Sequence, residues 1–172
     1  NYKFASVLLL LIVGFRNAWQ PFFLKISQQA DAPVIYRKVL EYYLFGAGMV
    51  VVAVTLFIGN ILTFRFFGSF YLLNNQEYWI GIPFISWIIL AYYLFGIYIL
   101  FTPAFYIKKK SIYMMLFTGA GAVVNIICNL LLLPKIGVWA AVIATVAAYA
   151  VMALSIYLTA QKIYPIPVAG WK

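Results

Sequence analysis

An arginine and two amides lie close together in a long apolar run near the start of the chain. Arg16 and Asn17 are adjacent, and Gln20 follows Arg16 by about one helical turn. A guanidinium offers N–H donors in a planar fork that suits a phosphate or another anionic group. If the run crosses a membrane, a charge there usually faces a bundle interior or a wet cavity. The pattern predicts an anion-binding polar stripe centred on Arg16; the alternative is a structural arginine bonded to helix carbonyls.

Two other positions are candidates for function. Pro21 follows Gln20 directly and removes a backbone N–H, so it is a hinge candidate, with a plain structural kink as the alternative. Asn125 shares one face of a later apolar run with Thr118 and Asn129. Its first interpretation is a hydrogen bond to a neighbouring helix. The alternative is a substrate-binding side chain that faces a sugar in a hydrated cavity.

The residue types that other chemistries need are scarce. The 172 residues include no histidine, one cysteine and three acidic residues. Asp31 and Glu77 are expected in loops, and Glu41 in the first turn of the second helix. The chain offers no carboxylate pair, metal-ligand cluster or Ser/His/Asp set. We therefore expect no enzyme activity, no bound metal and no cofactor.

The composition is that of a protein surrounded by lipid. Hydrophobic residues make up 67% of the chain and charged residues 9%, against roughly 45–50% and 25% in soluble domains. The net charge is +9, and the basic residues stand between apolar runs. That placement favours topology control beside an anionic leaflet over a nucleic-acid partner. The bilayer is therefore an expected partner and nucleic acid is not.

Five apolar runs are long enough to cross a bilayer, which takes about 20 residues. They predict an all-α membrane domain with about five transmembrane helices and no soluble domain. The helices are expected over about residues 4–26, 39–64, 81–107, 111–133 and 138–161, and a cytoplasmic link over residues 162–172.

The unequal distribution of basic residues predicts the orientation. Eight lie on one side of the expected bundle: Lys25, Arg37, Lys38, Lys108, Lys109, Lys110, Lys162 and Lys172. Three lie on the other: Lys3, Arg65 and Lys135. The richer side is usually cytoplasmic. The chain is then expected to start outside, cross five times and end in the cytoplasm, as a fragment of a longer protein with further spans upstream.

The pentapeptide Tyr-Tyr-Leu-Phe-Gly occurs twice, at residues 42–46 and 92–96. The two copies are expected on helices of opposite direction, which is compatible with an inverted repeat of transporter type. In so aromatic a chain, coincidence is the simpler interpretation.

Several segments resemble bacterial polysaccharide-export flippases. The matching stretches are NYKFA at residues 1–5, GFRNAWQPFF at residues 14–23, IGVWAA at residues 136–141 and YPIP at residues 164–167. The family comprises the O-antigen and lipid-linked oligosaccharide flippases of the MOP superfamily, which also contains the lipid II flippase and the MATE multidrug transporters. The resemblance implies helices eight to twelve of about fourteen, in a transporter with two helical lobes.

The function that this resemblance implies is the transfer of an undecaprenyl-diphosphate-linked oligosaccharide to the outer leaflet, for cell-surface polysaccharide synthesis. Arg16 would face the diphosphate, with Asn17, Gln20 and Asn125 as further cavity residues. The implied location is the bacterial cytoplasmic membrane, beside other polysaccharide-assembly proteins. The alternatives are a cation-coupled, MATE-like multidrug exporter, a membrane enzyme of polysaccharide assembly and a purely structural subunit.

Overall fold

The described residues form a helical bundle. The computed structural model describes the backbone of residues 2–29, 31–63, 65–66, 70–71 and 81–164, and the side chains of residues 10, 12–29, 31–60 and 81–164. The helices of this part are α1 (Tyr2–Ile26), α2 (Ala32–Thr63), α3 (Ile82–Ile107), α4 (Ile112–Ile136) and α5 (Val138–Ile163). Between α2 and α3, the two-residue strands β1 (Arg65–Phe66) and β2 (Phe70–Tyr71) pair antiparallel.

The expected all-α membrane class is confirmed. Four of the described helices, α2 to α5, contain stretches long and apolar enough to cross a membrane. The remaining helix, α1, has 25 residues and carries Arg16, Asn17 and Gln20 in its second half. The protein is therefore a multi-pass membrane protein. The expected link lies outside the described residues from residue 165 onward, as do residues 72–80 of the connection between α2 and α3.

Two helix boundaries differ from the expected ones by three residues or more. α2 begins at Ala32 rather than at about residue 39, because a proline such as Pro33 fits the first turn of a helix, where its missing N–H has no intrahelical partner. Glu41 consequently lies beyond the first turn, and its carboxylate pairs with Arg37 at 2.7 Å. α4 passes through Pro134 and ends at Ile136 rather than at residue 133.

A single residue separates α4 from α5. Gly137 adopts φ 57° and ψ −134°, a backbone conformation that favours glycine because it has no Cβ. The two helices then fold back against each other, and the buried Gly121 of α4 lies against Met152 of α5. The expected close-packing stripe on α5 is buried; it consists of Ala140, Ala144 and Ala148.

The order of packing leaves a space between α3 and α4. α5 packs against both of these helices, whereas α3 and α4 contact each other little although a short turn joins them. On the other side of the bundle, α1 and α2 pack against α3. α3 is thus the central helix, and α4 is attached mainly through α5.

The two copies of the repeated pentapeptide face each other across α2 and α3. The Tyr43 hydroxyl donates to the Tyr93 carbonyl at 3.0 Å, and the Tyr93 hydroxyl donates to the Leu44 carbonyl at 3.3 Å. The two rings stack with their centroids 5.7 Å apart. Gly96 leaves the space that the Tyr43 hydroxyl occupies. We call Tyr43 and Tyr93 the tyrosine clasp.

Most of the expected cytoplasmic charges lie at one end of the bundle, which we call the basic end. It carries Lys25, Arg37, Lys38, Lys108, Lys109, Lys110 and Lys162. Aromatic contacts join the helix ends there: the rings of Tyr36 and Tyr164 are 6.2 Å apart, and the Lys108 ammonium lies 6.0 Å from the Tyr164 ring. At the opposite end Phe84 contacts Trp139, with ring centroids 4.6 Å apart.

Candidate functional site

A groove of about 640 Å³ lies between α1, α3 and α4. The groove exists because α4 packs along α5 and contacts α3 little, which leaves α3 and α4 apart. Its lining comprises Arg16 and Gln20 from α1, Phe95, Tyr98, Ile99, Thr102 and Tyr106 from α3, Met114, Met115, Thr118, Gly119 and Ala122 from α4, and Met152 from α5.

The groove runs along the helices toward the basic end. Its α3 residues follow one another at helical spacing, from Phe95 near the middle of the helix to Tyr106 beside its end. Eleven residues at about 1.5 Å each give a length of about 16 Å. On α4, the lining begins with Met114 in the first turn. The end of the groove therefore adjoins the turn that joins α3 to α4.

The packing of α1 directs its polar stripe into this groove. Trp19 and Phe23 are buried, and the Trp19 indole N–H donates to the Leu100 carbonyl of α3 at 3.4 Å. Arg16 and Gln20 each lie three residues before one of these two aromatic residues, at the edge of the buried face. The structure thus brings these two predicted site residues together on one wall.

Arg16 has an exposed side chain, and Gln20 is half-buried. Arg37 and Glu41 form an ion pair at the bundle surface. Among the residues whose side chains the structure describes, no carboxylate pairs with Arg16. A guanidinium on a cavity wall keeps its N–H donors for a ligand, and charge-assisted bonds to a phosphate or carboxylate are about twice as strong as neutral ones. Electrostatically, this wall of the groove favours an anion.

Hydroxyl groups lie on the opposite walls. The Tyr98 hydroxyl is 3.2 Å from the Thr118 hydroxyl, which in turn donates to the Met114 carbonyl at 2.9 Å. One turn along α3 from Tyr98, the Thr102 hydroxyl donates to the Ile99 carbonyl at 2.8 Å. Each hydroxyl has one hydrogen, so the oxygen lone pairs remain available to accept hydrogen bonds from a ligand's hydroxyl groups.

Sequence reasoning missed Tyr98 and Thr102. The available signal was their spacing with Tyr106, which places three polar side chains four residues apart on one face of α3. Because tyrosine in a membrane helix is usually an interfacial residue, this spacing did not indicate a cavity wall.

The remaining predicted residues lie elsewhere. Asn17 is exposed on α1 and does not line the groove. Asn125 lies one turn beyond Ala122, the last α4 residue of the lining, and its carbonyl and side-chain oxygens accept bonds from the Asn129 amide at 2.9 and 3.1 Å. The sequence pattern favours a hydrogen bond from Asn125 to a neighbouring helix, whereas this contact lies within α4. Pro21 is exposed within α1, which continues through it.

Arg16 is the charged residue among the described residues that line the groove. Within the described ranges, no group of three His, Cys, Asp or Glu residues could hold a metal ion. At the basic end, burial raises the pKa of the Tyr164 hydroxyl above its ordinary value. Tyr164 is therefore neutral at physiological pH and does not offset the charge of Lys108 beside it.

Comparison with known proteins gives no relative: no family model, no curated protein and no solved structure matches the chain.

Proposed function

We propose that the chain is part of a membrane transporter that flips an undecaprenyl-diphosphate-linked oligosaccharide between leaflets for cell-surface polysaccharide synthesis. The observation that carries this proposal is Arg16, a cation on the wall of a groove inside a membrane bundle, without a carboxylate partner among the described residues. A charge near mid-membrane costs at least about 2.5 kcal/mol. A bound anion would offset that cost and explain why the residue is there.

The rest of the groove suits the other parts of such a substrate. Lipid-linked saccharides combine an anionic diphosphate, a sugar rich in hydroxyls and a long apolar tail. The hydroxyls of Tyr98 and Thr118 can accept hydrogen bonds from sugar hydroxyls, and methionines such as Met114 and Met115 offer adaptable apolar contact. Transfer between leaflets needs this shelter and no covalent step, which agrees with a transporter rather than an enzyme of polysaccharide assembly.

A cation-coupled, MATE-like exporter is the alternative of the same fold. The guanidinium of Arg16 attracts anions and repels the cationic compounds that such exporters commonly carry. The sign of the charge in the groove therefore favours the saccharide flippase.

The decisive experiment replaces Arg16 in the intact protein. Arg16→Gln should lower transport of a fluorescent prenyl-diphosphate-linked sugar in proteoliposomes at least about tenfold, because it removes a charge-assisted contact of about 1.5–3 kcal/mol. Arg16→Lys should retain part of the activity, since lysine keeps the positive charge but lacks the planar set of guanidinium N–H donors. Lys38→Gln, which removes an exposed charge on α2, is the matched control. Unimpaired transport by Arg16→Gln, at equal membrane abundance, would contradict the proposal.

We further propose that the protein lies in the bacterial cytoplasmic membrane with its basic end in the cytoplasm, as the excess of lysine and arginine favours. In a Cys128→Ser background, Lys109→Cys lies at the basic end and Lys135→Cys at the opposite end. An impermeant thiol reagent should label only the second variant in intact cells. Labelling of only the first would reverse the orientation.

A further inference from the structure

Three consecutive lysines form the turn between α3 and α4. Lys108, Lys109 and Lys110, which we call the lysine turn, are all exposed. The turn is fixed to the end of α3 by backbone bonds: the Lys108 N–H donates to the Ala104 carbonyl at 3.3 Å, and the Lys110 N–H donates to the Phe105 carbonyl at 2.8 Å. The backbone of the turn is therefore held at a defined place in the bundle, with the Lys108 ammonium 6.0 Å from the Tyr164 ring.

That place is the end of the groove. Tyr106, the last α3 residue of the lining, lies two residues before Lys108, and Met114, the first α4 residue, lies four residues after Lys110. The lysine turn thus connects two walls of the groove at the boundary between helix and water. Any ligand that enters from the basic end between α3 and α4 passes these side chains.

Arg16 lies deeper in the same groove. It precedes the end of α1 at Ile26 by ten residues, which is about 15 Å of helix. The lysine turn lies at that end of the bundle, so an anion bound at the turn and an anion bound beside Arg16 lie at different depths along the groove. The arrangement provides two successive places for an anion, the lysine turn at the mouth of the groove and Arg16 farther along it.

We propose that the lysine turn is a capture site for a phosphate or diphosphate ester, which binds there before it reaches Arg16. Lysine suits this role because its ammonium is a flexible, strongly hydrated point charge that holds a phosphate without fixing its geometry. The physiological ligand, a lipid-linked diphosphate, rests on the proposed function; the binding site itself does not.

The test measures binding to the purified intact protein in neutral detergent. The probes are farnesyl diphosphate, which has a headgroup and a tail, and inorganic pyrophosphate, which has the anion alone. The variant K108Q/K109Q/K110Q should bind farnesyl diphosphate about 100-fold more weakly, and each single variant about fivefold, as expected for cations close to an anionic group.

The matched control is K25Q/K38Q/K162Q, which removes the same charge from the basic end on α1, α2 and α5. It should weaken binding several-fold at most. Equal losses in the two triple variants would mean that a diffuse surface potential attracts the probe, and would overturn the proposal; so would full affinity in the lysine-turn variant. Circular dichroism checks that both variants keep their helices.

The two probes identify the source of the ligand. Tighter binding of farnesyl diphosphate than of pyrophosphate supports a lipid headgroup as the ligand, and equal binding supports capture of the free anion. The proposed function fails separately: normal transport by Arg16→Gln would refute it, while the selective loss in the lysine-turn variant would still stand.

Discussion

Gly96→Ala tests the packing of the tyrosine clasp. A Cβ at Gly96 would overlap the hydroxyl of Tyr43 and lie 3.0 Å from Cε2 of its ring. The ring would have to move away from α3. Its 3.0 Å bond to the Tyr93 carbonyl would then break.

The expected cost follows from three contributions. Forcing an extra carbon into a packed interface costs about 1–3 kcal/mol. A lost hydrogen bond between membrane helices costs about 0.6 kcal/mol. The higher helix propensity of alanine offsets up to about 1 kcal/mol of this. The free energy of unfolding should therefore fall by about 0.6–3.6 kcal/mol.

The assay is reversible unfolding of the purified protein in mixed micelles, titrated with dodecyl sulfate and followed by circular dichroism. Gly46→Ala is the matched control, because Gly46 holds the same position in the other copy of the pentapeptide and a Cβ there meets nothing within 4 Å. It should leave stability unchanged or raise it slightly. In a Tyr43→Leu background, where the phenol is absent, Gly96→Ala should cost nothing.

Two results would refute this reasoning. Equal effects of Gly46→Ala and Gly96→Ala would show that helix propensity, rather than the clasp, decides the outcome. An undiminished cost in the Tyr43→Leu background would show that Tyr43 is not the group that the new methyl displaces.

Three further substitutions test other parts of the bundle. Tyr36→Phe keeps the ring stacked 3.8 Å from that of Phe23 but removes the 2.9 Å hydrogen bond from the Tyr36 hydroxyl to the Phe23 carbonyl. The same titration should show that the free energy of unfolding falls by about 1 kcal/mol. An unchanged free energy of unfolding would mean that the bond contributes nothing. Gly121→Val would displace the Met152 side chain at the α4–α5 contact and should cost about 1–3 kcal/mol; a cost that Met152→Ala does not reduce would point to another cause. Pro21→Ala restores an N–H inside α1 and should raise stability while slowing transport; faster transport would contradict a hinge at this position.

The helices could be predicted from the sequence because the apolar runs are long and the breaks between them carry strong signals. The errors arose where proline was read only as a breaker. Pro33 fits the first turn of α2, where its missing N–H has no intrahelical partner. Pro134 lies in the last turn of α4 and costs that helix one N–H donor without ending it. At the α4–α5 connection, the chain reverses at Gly137, which has a positive φ of 57°.

The candidate site could be predicted only where one helix carried the whole signal. Arg16 and Gln20 stand out within α1, since both are polar in an apolar run. The facing residues Tyr98 and Thr118 come from two helices that scarcely contact each other. The contact between these two side chains depends on the packing of α5 against both α3 and α4. No local sequence pattern predicts that packing.

The tyrosine clasp also bears on the meaning of the repeated pentapeptide. An inverted repeat with a true two-fold axis would place both copies in matching surroundings. The two tyrosines do donate to each other's helix, but to carbonyls one position apart, at Tyr93 and Leu44. The glycines differ more: Gly96 is buried under a tyrosine, whereas Gly46 is exposed. The symmetry is thus confined to one pair of aromatic side chains, which favours local packing, rather than a duplicated structural unit, as the origin of the likeness.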